Sequence, residues 1–342
     1  MSGPAEGGRA GSGAQASPDL GRVVVIGAHI LDVLGRPVEA IPPGQGSARL
    51  QEIRATAAGT AAGTSVDLAK LGAQVASVGA IGADLLGDVL AAALQRHGVD
   101  TAGLVRKPGV QTSATILPIR PNGERPALHV PGATSRLTAG DVDPAAVRGC
   151  RALMLGAPDA LGDAAAWLPG VARAASSAGA LVVADVLHRG SAGDLERIAG
   201  VLAAADWFLP NADQLLRLTG RGEIVQAVKD VLALGTGGVA VTLGAEGCLV
   251  TAGGGELTAV PAISVDVVDT TGCGDGFNAG MIVGLLLGCG PVDAAWLGSA
   301  CGSLVATGLG SDAGIVSLDH AIGFLSRAEP GVAGRIGSHL AV

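Results

Sequence analysis

The feature that most limits the fold of this chain is the regular alternation of short apolar strands and helical segments from residue 152 onward. The strand segments are rich in Val, Leu and Ala, and helical segments with apolar residues at helical spacing separate them. Because strands that alternate with helices form a mostly parallel sheet with helices on both faces, the pattern predicts a three-layer, doubly wound α/β fold. Strands are predicted at 22–27, 75–79, 152–155, 181–185, 207–209, 238–243 and 248–251, and helices at 64–71, 85–97, 164–178, 194–204, 213–218 and 224–234.

Two polar segments, 34–55 and 110–131, interrupt this alternation. Both are too short and too alternating for helices, and the second contains the turn sequence Pro-Asn-Gly at 121–123. We expect the two segments to form a small β-sheet lid beside the main sheet. The predicted organisation is a flexible Gly/Ala/Ser-rich tail over 1–20, one α/β domain over 21–330 that includes the lid, and a C-terminal tail over 331–342.

The composition excludes several classes of protein. Hydrophobic residues make up 49% of the chain, so a large core can be buried and disorder of the whole chain is excluded. A net charge of −8, no basic run and only 2% aromatic residues argue against nucleic acid as a partner. Glycines break the two long uncharged stretches near the C-terminus, which favours buried helices over membrane spans. The five cysteines are scattered without C-x-x-C spacing, which indicates a cytoplasmic protein without a disulfide framework.

Residues 265–280 (VDVVDTTGCGDGFNAG) carry the strongest chemical signal. A strand-like run ends at Asp269, a loop of small residues follows, and Asp275 opens an apolar helix. Glycines in that loop let backbone N–H groups converge on an anion at the helix N-terminus. A carboxylate at Asp275 can accept the proton of an attacking hydroxyl. The alternative is that both aspartates only cap the helix, but one cap is enough for one helix, so the pattern favours an anion site.

Four ordered motifs resemble those of the ribokinase-like carbohydrate kinases, the PfkB family, and the resemblance covers roughly residues 21–328. Residues 269–280 (DTTGCGDGFNAG) resemble the family's C-terminal signature, usually D-T-x-G-A-G-D. Residues 58–88 (AGTAAGTSVDLAKLGAQVASVGAIGADLLGD) resemble its first glycine motif, helix and V-G-x-x-G-x-D segment. Residues 210–220 (PNADQLLRLTG) resemble its N-x-x-E segment, and residues 241–250 (VTLGAEGCLV) resemble its T-x-G-x-x-G nucleotide strand.

The resemblance implies an ATP-dependent kinase with Asp275 as the catalytic base. It implies that the backbone of the Gly272–Gly274 loop forms the anion hole. Cys273 replaces the usual Ala there, and we expect its thiol to be a small buried group without a chemical role. The residues placed at the substrate are Asp32, Gly59, Gly63 and Thr64.

The same resemblance implies ATP and Mg²⁺ as cofactors, with K⁺ beside the anion hole. The residues matched to the nucleotide site are Asn211, Thr242, Gly244 and Gly247. The residues matched to the K⁺ site are Asp269, Thr271, Val305, Gly308 and Gly310, within or near the loop 305–314.

Two positions depart from the family pattern. Gly63 stands where sugar kinases usually carry an Asn that binds substrate hydroxyls, so the pocket loses an amide and gains room. Gln214 replaces the acid of the N-x-x-E segment, which helps to hold hydrated Mg²⁺. Because Mg²⁺ prefers carboxylate oxygens, its binding is expected to be weaker or to use the neighbouring Asp213 through water.

Three functions therefore remain open. The first is phosphoryl transfer to a hydroxyl, expected to be a primary alcohol, of a sugar or sugar acid. The second is a nucleoside kinase, which the absence of aromatic residues from the lid segments disfavours. The third is a non-catalytic sugar or nucleotide sensor on the same fold, which the intact Asp275 disfavours. Open strand edges in the lid predict a homodimer paired through the lids. His129 and the pair His188-Arg189 are interpreted as surface residues.

Overall fold

The structure, a computed structural model, describes residues 18–187 and 194–340, so the predicted tail over 1–20 lies almost entirely outside it. It contains a nine-stranded, mostly parallel sheet with helices on both faces and a separate four-stranded sheet, which confirms the predicted α/β fold. The strands are β1 (Arg22–Gly27), β2 (Ile30–Arg36), β3 (Glu52–Ala58), β4 (Gln74–Gly82), β5 (Asp100–Lys107), β6 (Ala114–Pro118), β7 (Leu128–Val130), β8 (Ala152–Gly156), β9 (Leu181–Asp185), β10 (Trp207–Phe208), β11 (Gly238–Thr242), β12 (Cys248–Ala252) and β13 (Thr258–Val260). The helices are α1 (Thr60–Lys70), α2 (Leu85–Arg96), α3 (Pro144–Arg148), α4 (Ala164–Ser177), α5 (Asp194–Leu202), α6 (Ala212–Thr219), α7 (Ile224–Ala233), α8 (Cys273–Leu286), α9 (Pro291–Val305), α10 (Leu318–Ala328) and α11 (Pro330–Ser338).

The main sheet has the strand order β13-β12-β11-β10-β9-β8-β1-β4-β5, and only β12 runs opposite to the other strands, so that its pairings with β11 and β13 are antiparallel. The carboxyl ends of the parallel strands therefore meet at one edge. The register pairs Gly27 with Gly156 and Gly156 with Asp185 there. A Cβ at Gly156 would lie 2.8 Å from the backbone nitrogen of Ala61, so glycine at this position lets the first turn of α1 approach the sheet.

The side chains of β1 alternate between two hydrophobic cores, one on each face of the sheet. Val23 and Val25 pack in a core with residues of α1, α2 and α8–α11. Val24 and Ile26 pack in a second core with residues of α3–α7. This burial on both faces explains why the strand reads as a continuous apolar run.

The smaller sheet, which we call the lid, has the order β3-β2-β6-β7 and confirms that both polar segments contain strands. Asp32 pairs with Thr56 on one side and with Thr115 on the other, so these three side chains share one face of the lid. The opposite face is apolar and open, because Ile53, Ile116 and Leu128 are 58–68% exposed.

The chain beyond residue 330 differs from the predicted tail. Pro330 opens α11, and Val332, Ala333 and Ile336 are buried on one side of it. Apolar residues at this spacing pack a helix against the domain even in a short terminal segment. Within the described ranges, no helix is long and apolar enough to cross a membrane.

Candidate active site

Asp269 holds the loop that precedes α8. Its Oδ1 accepts hydrogen bonds from the backbone N–H (3.0 Å) and hydroxyl (2.8 Å) of Thr271, and its Oδ2 accepts one from the N–H of Gly310 (3.0 Å). Gly272 has a φ of 81°, a left-handed conformation, and a Cβ there would lie 2.5 Å from the Cβ of Ser311. The loop shape therefore requires both the buried carboxylate and the glycine. In the first turn of α8, the N–H of Cys273 donates to the carbonyl oxygen of Thr270 at 3.4 Å, whereas those of Gly274 and Asp275 have no partner among the described residues and are available to an anion.

Cys273 is the first residue of α8 and is only partly exposed. Burial raises the pKa of its thiol to about 12, so the thiol is neutral at physiological pH. This agrees with the expectation that the Cys side chain is chemically inert in the loop.

Asp275 lies in the first turn of α8, against α1. Gly63 faces its side chain so closely that a Cβ at Gly63 would lie 2.7 Å from the Cγ of Asp275 and closer still to its Oδ2. Burial raises the pKa of Asp275 well above its usual range, and the charges of Asp185, Asp67 and Asp32 raise it further.

The neighbouring carboxyl groups have different surroundings. Asp185, at the carboxyl end of β9, accepts hydrogen bonds from Nδ2 of Asn278 and from the N–H of Val186, both at 2.7 Å, but burial raises its pKa to about 7. Asp67 on α1 is fully buried, and neither of its carboxylate oxygens has a hydrogen-bond partner among the residues that the structure describes. Nζ of Lys70 lies 3.8 Å from it.

The predicted substrate residues lie on β2 and α1, beside this carboxylate group. Asp32 is buried on the lid, where burial raises its pKa to about 6 and the Thr115 hydroxyl acts against that rise. Gly59 precedes α1 with a φ of 80°, and a Cβ there would lie 2.8 Å from the carbonyl oxygen of Ala28. Thr64 is fully buried, and its hydroxyl lowers the pKa of Asp275.

The predicted nucleotide residue Asn211 serves as the N-cap of α6. Its Oδ1 accepts a hydrogen bond from the N–H of Gln214 (2.9 Å), and Oε1 of Gln214 accepts one from the N–H of Asn211 (2.8 Å). Nε2 of Gln214 donates to the carbonyl oxygen of Val186 at 2.7 Å. Gln214 therefore ties the exit of β9 to α6, and a carboxylate could not make that donation. Asp213 forms an ion pair with Arg217 at 2.8 Å.

The other predicted nucleotide residues follow β11. Thr242 ends this strand and bridges to Asn211. Gly244 and Gly247 have φ values of 62° and 95°, and a Cβ at Gly247 would lie 2.6 Å from the nitrogen of Ala262. These conformations favour glycine at both positions of the turn.

The predicted K⁺ loop follows α9, which ends at Val305, and Gly308 and Gly310 lie beyond it. Gly310 is bound to Asp269, as described above. Arg54 of the lid donates to the carbonyl oxygen of Leu309 at 2.9 Å and pairs with Asp312 at 3.1 Å, and Lys70 donates to the carbonyl of Asp312. The loop is therefore fixed from the lid, from α1 and from the Asp269 side chain.

Sequence reasoning did not identify Asp67 or Asp185 as parts of this site. For Asp67 the available signal was an acidic residue four positions after Gly63, on the same face of the predicted helix. For Asp185 the signal was a carboxylate at the carboxyl end of a parallel strand. His129 lies exposed on β7, with Nδ1 3.1 Å from the Thr115 hydroxyl, whereas His188 and Arg189 lie outside the described residues.

Comparison with known proteins identifies the family. The model of the PfkB family carbohydrate kinases matches residues 21–317, so the chain belongs to this family and is a sugar or nucleoside kinase of the PfkB type.

Two curated relatives and one solved structure illustrate the match. An uncharacterized sugar kinase of Archaeoglobus fulgidus is 31% identical over 65% of this chain and 86% of its own length. The aminoimidazole riboside kinase of Salmonella typhimurium is 32% identical over 66% of this chain and 72% of its own length. A putative ribokinase II from E. coli, solved in complex with ATP and Mg²⁺, covers 90% of this chain and 99% of its own with a TM-score of 0.78 and 21% identity, which shows a shared fold.

Proposed function

We propose that this kinase transfers the γ-phosphoryl group of ATP to a hydroxyl, a primary alcohol, of a sugar or sugar acid. The observation that carries the proposal is the position of Asp275, whose carboxyl group lies at the N-terminus of α8 and against α1. Asp32, on the lid, is close enough for its charge to act on Asp275. An acceptor held by Asp32 therefore meets a general base and an anion-binding helix end together.

In this mechanism Asp32 accepts hydrogen bonds from acceptor hydroxyls, and Asp275 accepts the proton of the attacking hydroxyl. As the new oxygen–phosphorus bond forms and ADP leaves, the N–H groups of the Gly272–Gly274 loop bind the oxygens of the phosphoryl group. The lid covers the acceptor and excludes water that would compete for the phosphoryl group.

The proposal includes ATP with Mg²⁺, as in the solved E. coli relative. Gln214, which replaces the acid of this segment, is bound through its amide to Val186, and Asp213, the contact expected to act through water, pairs with Arg217. No step is therefore assigned to a protein-bound Mg²⁺ at these residues. For K⁺ the expected ligands are all oxygen atoms, from Asp269 and from the backbone carbonyls of Thr271, Val305, Gly308 and Gly310, and those of Val305 and Gly310 also accept N–H groups of Gly308 and Ala313. K⁺ there would stabilise the loop shape.

A coupled assay of ADP release over a panel of sugars, sugar acids and nucleosides tests this function. The proposal expects the highest kcat/KM for a sugar or sugar acid. A nucleoside as the best acceptor would support the nucleoside kinase, the alternative that the aminoimidazole riboside kinase relative favours. ATP and sugar binding without any ADP release would support a non-catalytic sensor.

We also propose a cytoplasmic homodimer that pairs through the outward face of the lid. Ile116 and Leu128 are exposed on that face, 58% and 59% respectively, and an open apolar sheet face of this kind is usually covered by a partner. Light scattering at micromolar concentration is expected to give a dimer for the wild type and for Val225→Lys, a change at an exposed residue of α7. Ile116→Lys is expected to give a monomer, and a monomeric wild type would refute the pairing.

A further inference from the structure

Arg125 connects the lid to the catalytic loop. It lies between β6 and β7, and its Nε donates a hydrogen bond to Oγ1 of Thr270 at 3.1 Å, across 145 residues of chain. The same nitrogen lies 4.0 Å from Oδ1 of Asp269, and 38% of the side chain is exposed. The lid thus places a guanidinium group beside Thr270, which lies two residues before the anion-binding Gly272–Gly274 loop.

The charge of Arg125 acts on both sides of the proposed reaction centre. It opposes the burial that raises the pKa of Asp32, the carboxylate on the acceptor side. It also opposes the burial that raises the pKa of Cys273, in the anion-binding loop. Together with the hydrogen bond to Thr270, these effects show that the guanidinium is near both the acceptor side and the anion-binding loop.

An ordinary ion pair with Asp269 does not account for this position. Both oxygens of Asp269 already accept hydrogen bonds from Thr271 and Gly310, and 4.0 Å is the outer limit for an ion pair. Arg120 in the same loop shows the ordinary behaviour, since it pairs with Glu124 four residues away at 2.6 Å. Arg125 is placed by the fold rather than by a neighbouring acid.

The guanidinium of Arg125 retains unused donors. Within residues 18–187 and 194–340, its two terminal nitrogens make no hydrogen bond, so four N–H groups remain available. The other cations near the loop are already committed: Lys70 donates to the carbonyl of Asp312, and Arg54 binds Leu309 and Asp312. The terminal N–H groups of a guanidinium match the oxygens of a phosphate or carboxylate.

We propose that Arg125 is a catalytic residue carried by the lid, and that it binds a phosphate or carboxylate oxyanion beside the Gly272–Gly274 loop. The proposal rests on the kinase function proposed above. The oxyanion has two sources, the phosphoryl group in transfer or an anionic group of the acceptor itself. In either case the lid supplies a positive charge to a site crowded with carboxylates, where an incoming anion would otherwise be repelled.

The experiment compares Arg125→Gln and Arg125→Lys with the matched control Arg120→Gln. Each variant is assayed with fructose, gluconate and ribose 1-phosphate as acceptors. Arg125→Gln is expected to lower turnover by about 10- to 100-fold, with partial rescue by Lys, while Arg120→Gln stays within about twofold of the wild type. An equal fall in kcat for every accepted substrate identifies the phosphoryl group as the bound anion. A fall in kcat/KM confined to gluconate and ribose 1-phosphate identifies the acceptor's own anionic group.

A binding measurement separates this proposal from the kinase function. Calorimetric titration with ADP and aluminium fluoride, a mimic of the phosphoryl group, and with gluconate alone is carried out on the same variants. Arg125→Gln is expected to weaken one of the two at least tenfold. If Arg125→Gln matches Arg120→Gln in both titrations and in turnover, Arg125 binds no anion and the proposal is wrong. If the wild type turns over no acceptor, the kinase function fails, and the titrations still decide the role of Arg125.

Discussion

Gly63 offers the most direct test of the site, because its position leaves no room for a side chain. A Cβ added there would lie 2.7 Å from Cγ of Asp275 and 3.1 Å from its Cβ, whereas ordinary contact begins near 3.4 Å. In Gly63→Ala the Asp275 carboxyl group must therefore move by about 0.7 Å or more. Misplacement of a reacting group by about 1 Å can lower the rate about 100-fold. We expect kcat to fall by roughly that factor for every acceptor.

The effect of Gly63→Ala on stability should be much smaller than its effect on rate. Alanine in a helix interior is about 0.5–1 kcal/mol more favourable than glycine, and overpacking a filled contact costs about 1–3 kcal/mol. The net change in the free energy of unfolding is therefore a loss of about 0–2.5 kcal/mol. Gly323→Ala is the matched control, because Gly323 is a helical glycine of α10 whose added Cβ would meet nothing within 4 Å. It should gain stability and keep full activity.

The assay measures kcat, KM and urea unfolding for Gly63→Ala, Gly323→Ala, Asp275→Asn and the double variant Gly63→Ala/Asp275→Asn. If Gly63→Ala acts by displacing the base, the double variant is no slower than Asp275→Asn alone, because the two changes remove the same contribution. A kcat for Gly63→Ala within about threefold of the wild type would refute the contact with Asp275. The contact also changes the interpretation of Gly63, which the sequence suggested was only a lost substrate contact. Gly63→Asn should lower turnover of every acceptor rather than change selectivity alone.

Three further results are expected from the same structure. Asp275→Asn should lower kcat by about 10²- to 10⁴-fold yet raise Tm at pH 7, because burial raises the pKa of Asp275 and so makes its ionised form destabilising. This gain in Tm should vanish as the pH falls through about 4, because the carboxyl is then protonated in the unfolded chain as well. An unchanged kcat in Asp275→Asn would exclude Asp275 as the base. Cys273→Ala should keep kcat within about threefold, and mass spectrometry should find Cys273 unmodified by iodoacetamide at pH 8, where a thiol with a pKa of about 12 is neutral. Gln214→Glu should lose about 1–3 kcal/mol of unfolding free energy without Mg²⁺, because a carboxylate cannot donate to Val186; equal stability in urea would disprove that bond's contribution.

The sequence predicted the main sheet well because its signals are local. A β-branched run that ends in glycine identifies β1 without any knowledge of the neighbouring strands. The short apolar runs of β8, β9 and β11 can likewise be recognised from their own residues. Two strands were missed for physical reasons. β5 lies at the edge of the sheet and has mixed, half-exposed residues, and β13 has only three residues. In β12 the apolar pattern was found, but its antiparallel direction was not, because direction depends on connections rather than on composition.

The candidate site was predictable where chemistry is encoded in one segment, as at the Gly272–Gly274 loop. It was not predictable where the residues meet only through the fold. The approach of Gly63 to Asp275 joins two helices that are more than 200 residues apart, so the motif around Gly63 suggested a lost substrate contact instead. Similarly, nothing in the lid sequence distinguishes Arg125 from Arg120, although one reaches the catalytic loop and the other pairs with its own neighbour.

The carboxylates of the site also explain why its cations matter. Burial raises the pKa values of Asp32, Asp67 and Asp275, and the charges of Asp32 and Asp67 raise that of Asp275 further. A base must nevertheless be ionised to accept a proton, so positive charge close by is needed for turnover near neutral pH. Two described side chains oppose these rises: Lys70 lowers the pKa of Asp67, and Arg125, carried by the lid, lowers that of Asp32. Arg125→Gln should therefore raise the pKa of Asp32 further, so the loss of this one positive charge acts on the carboxylate that is proposed to hold the acceptor.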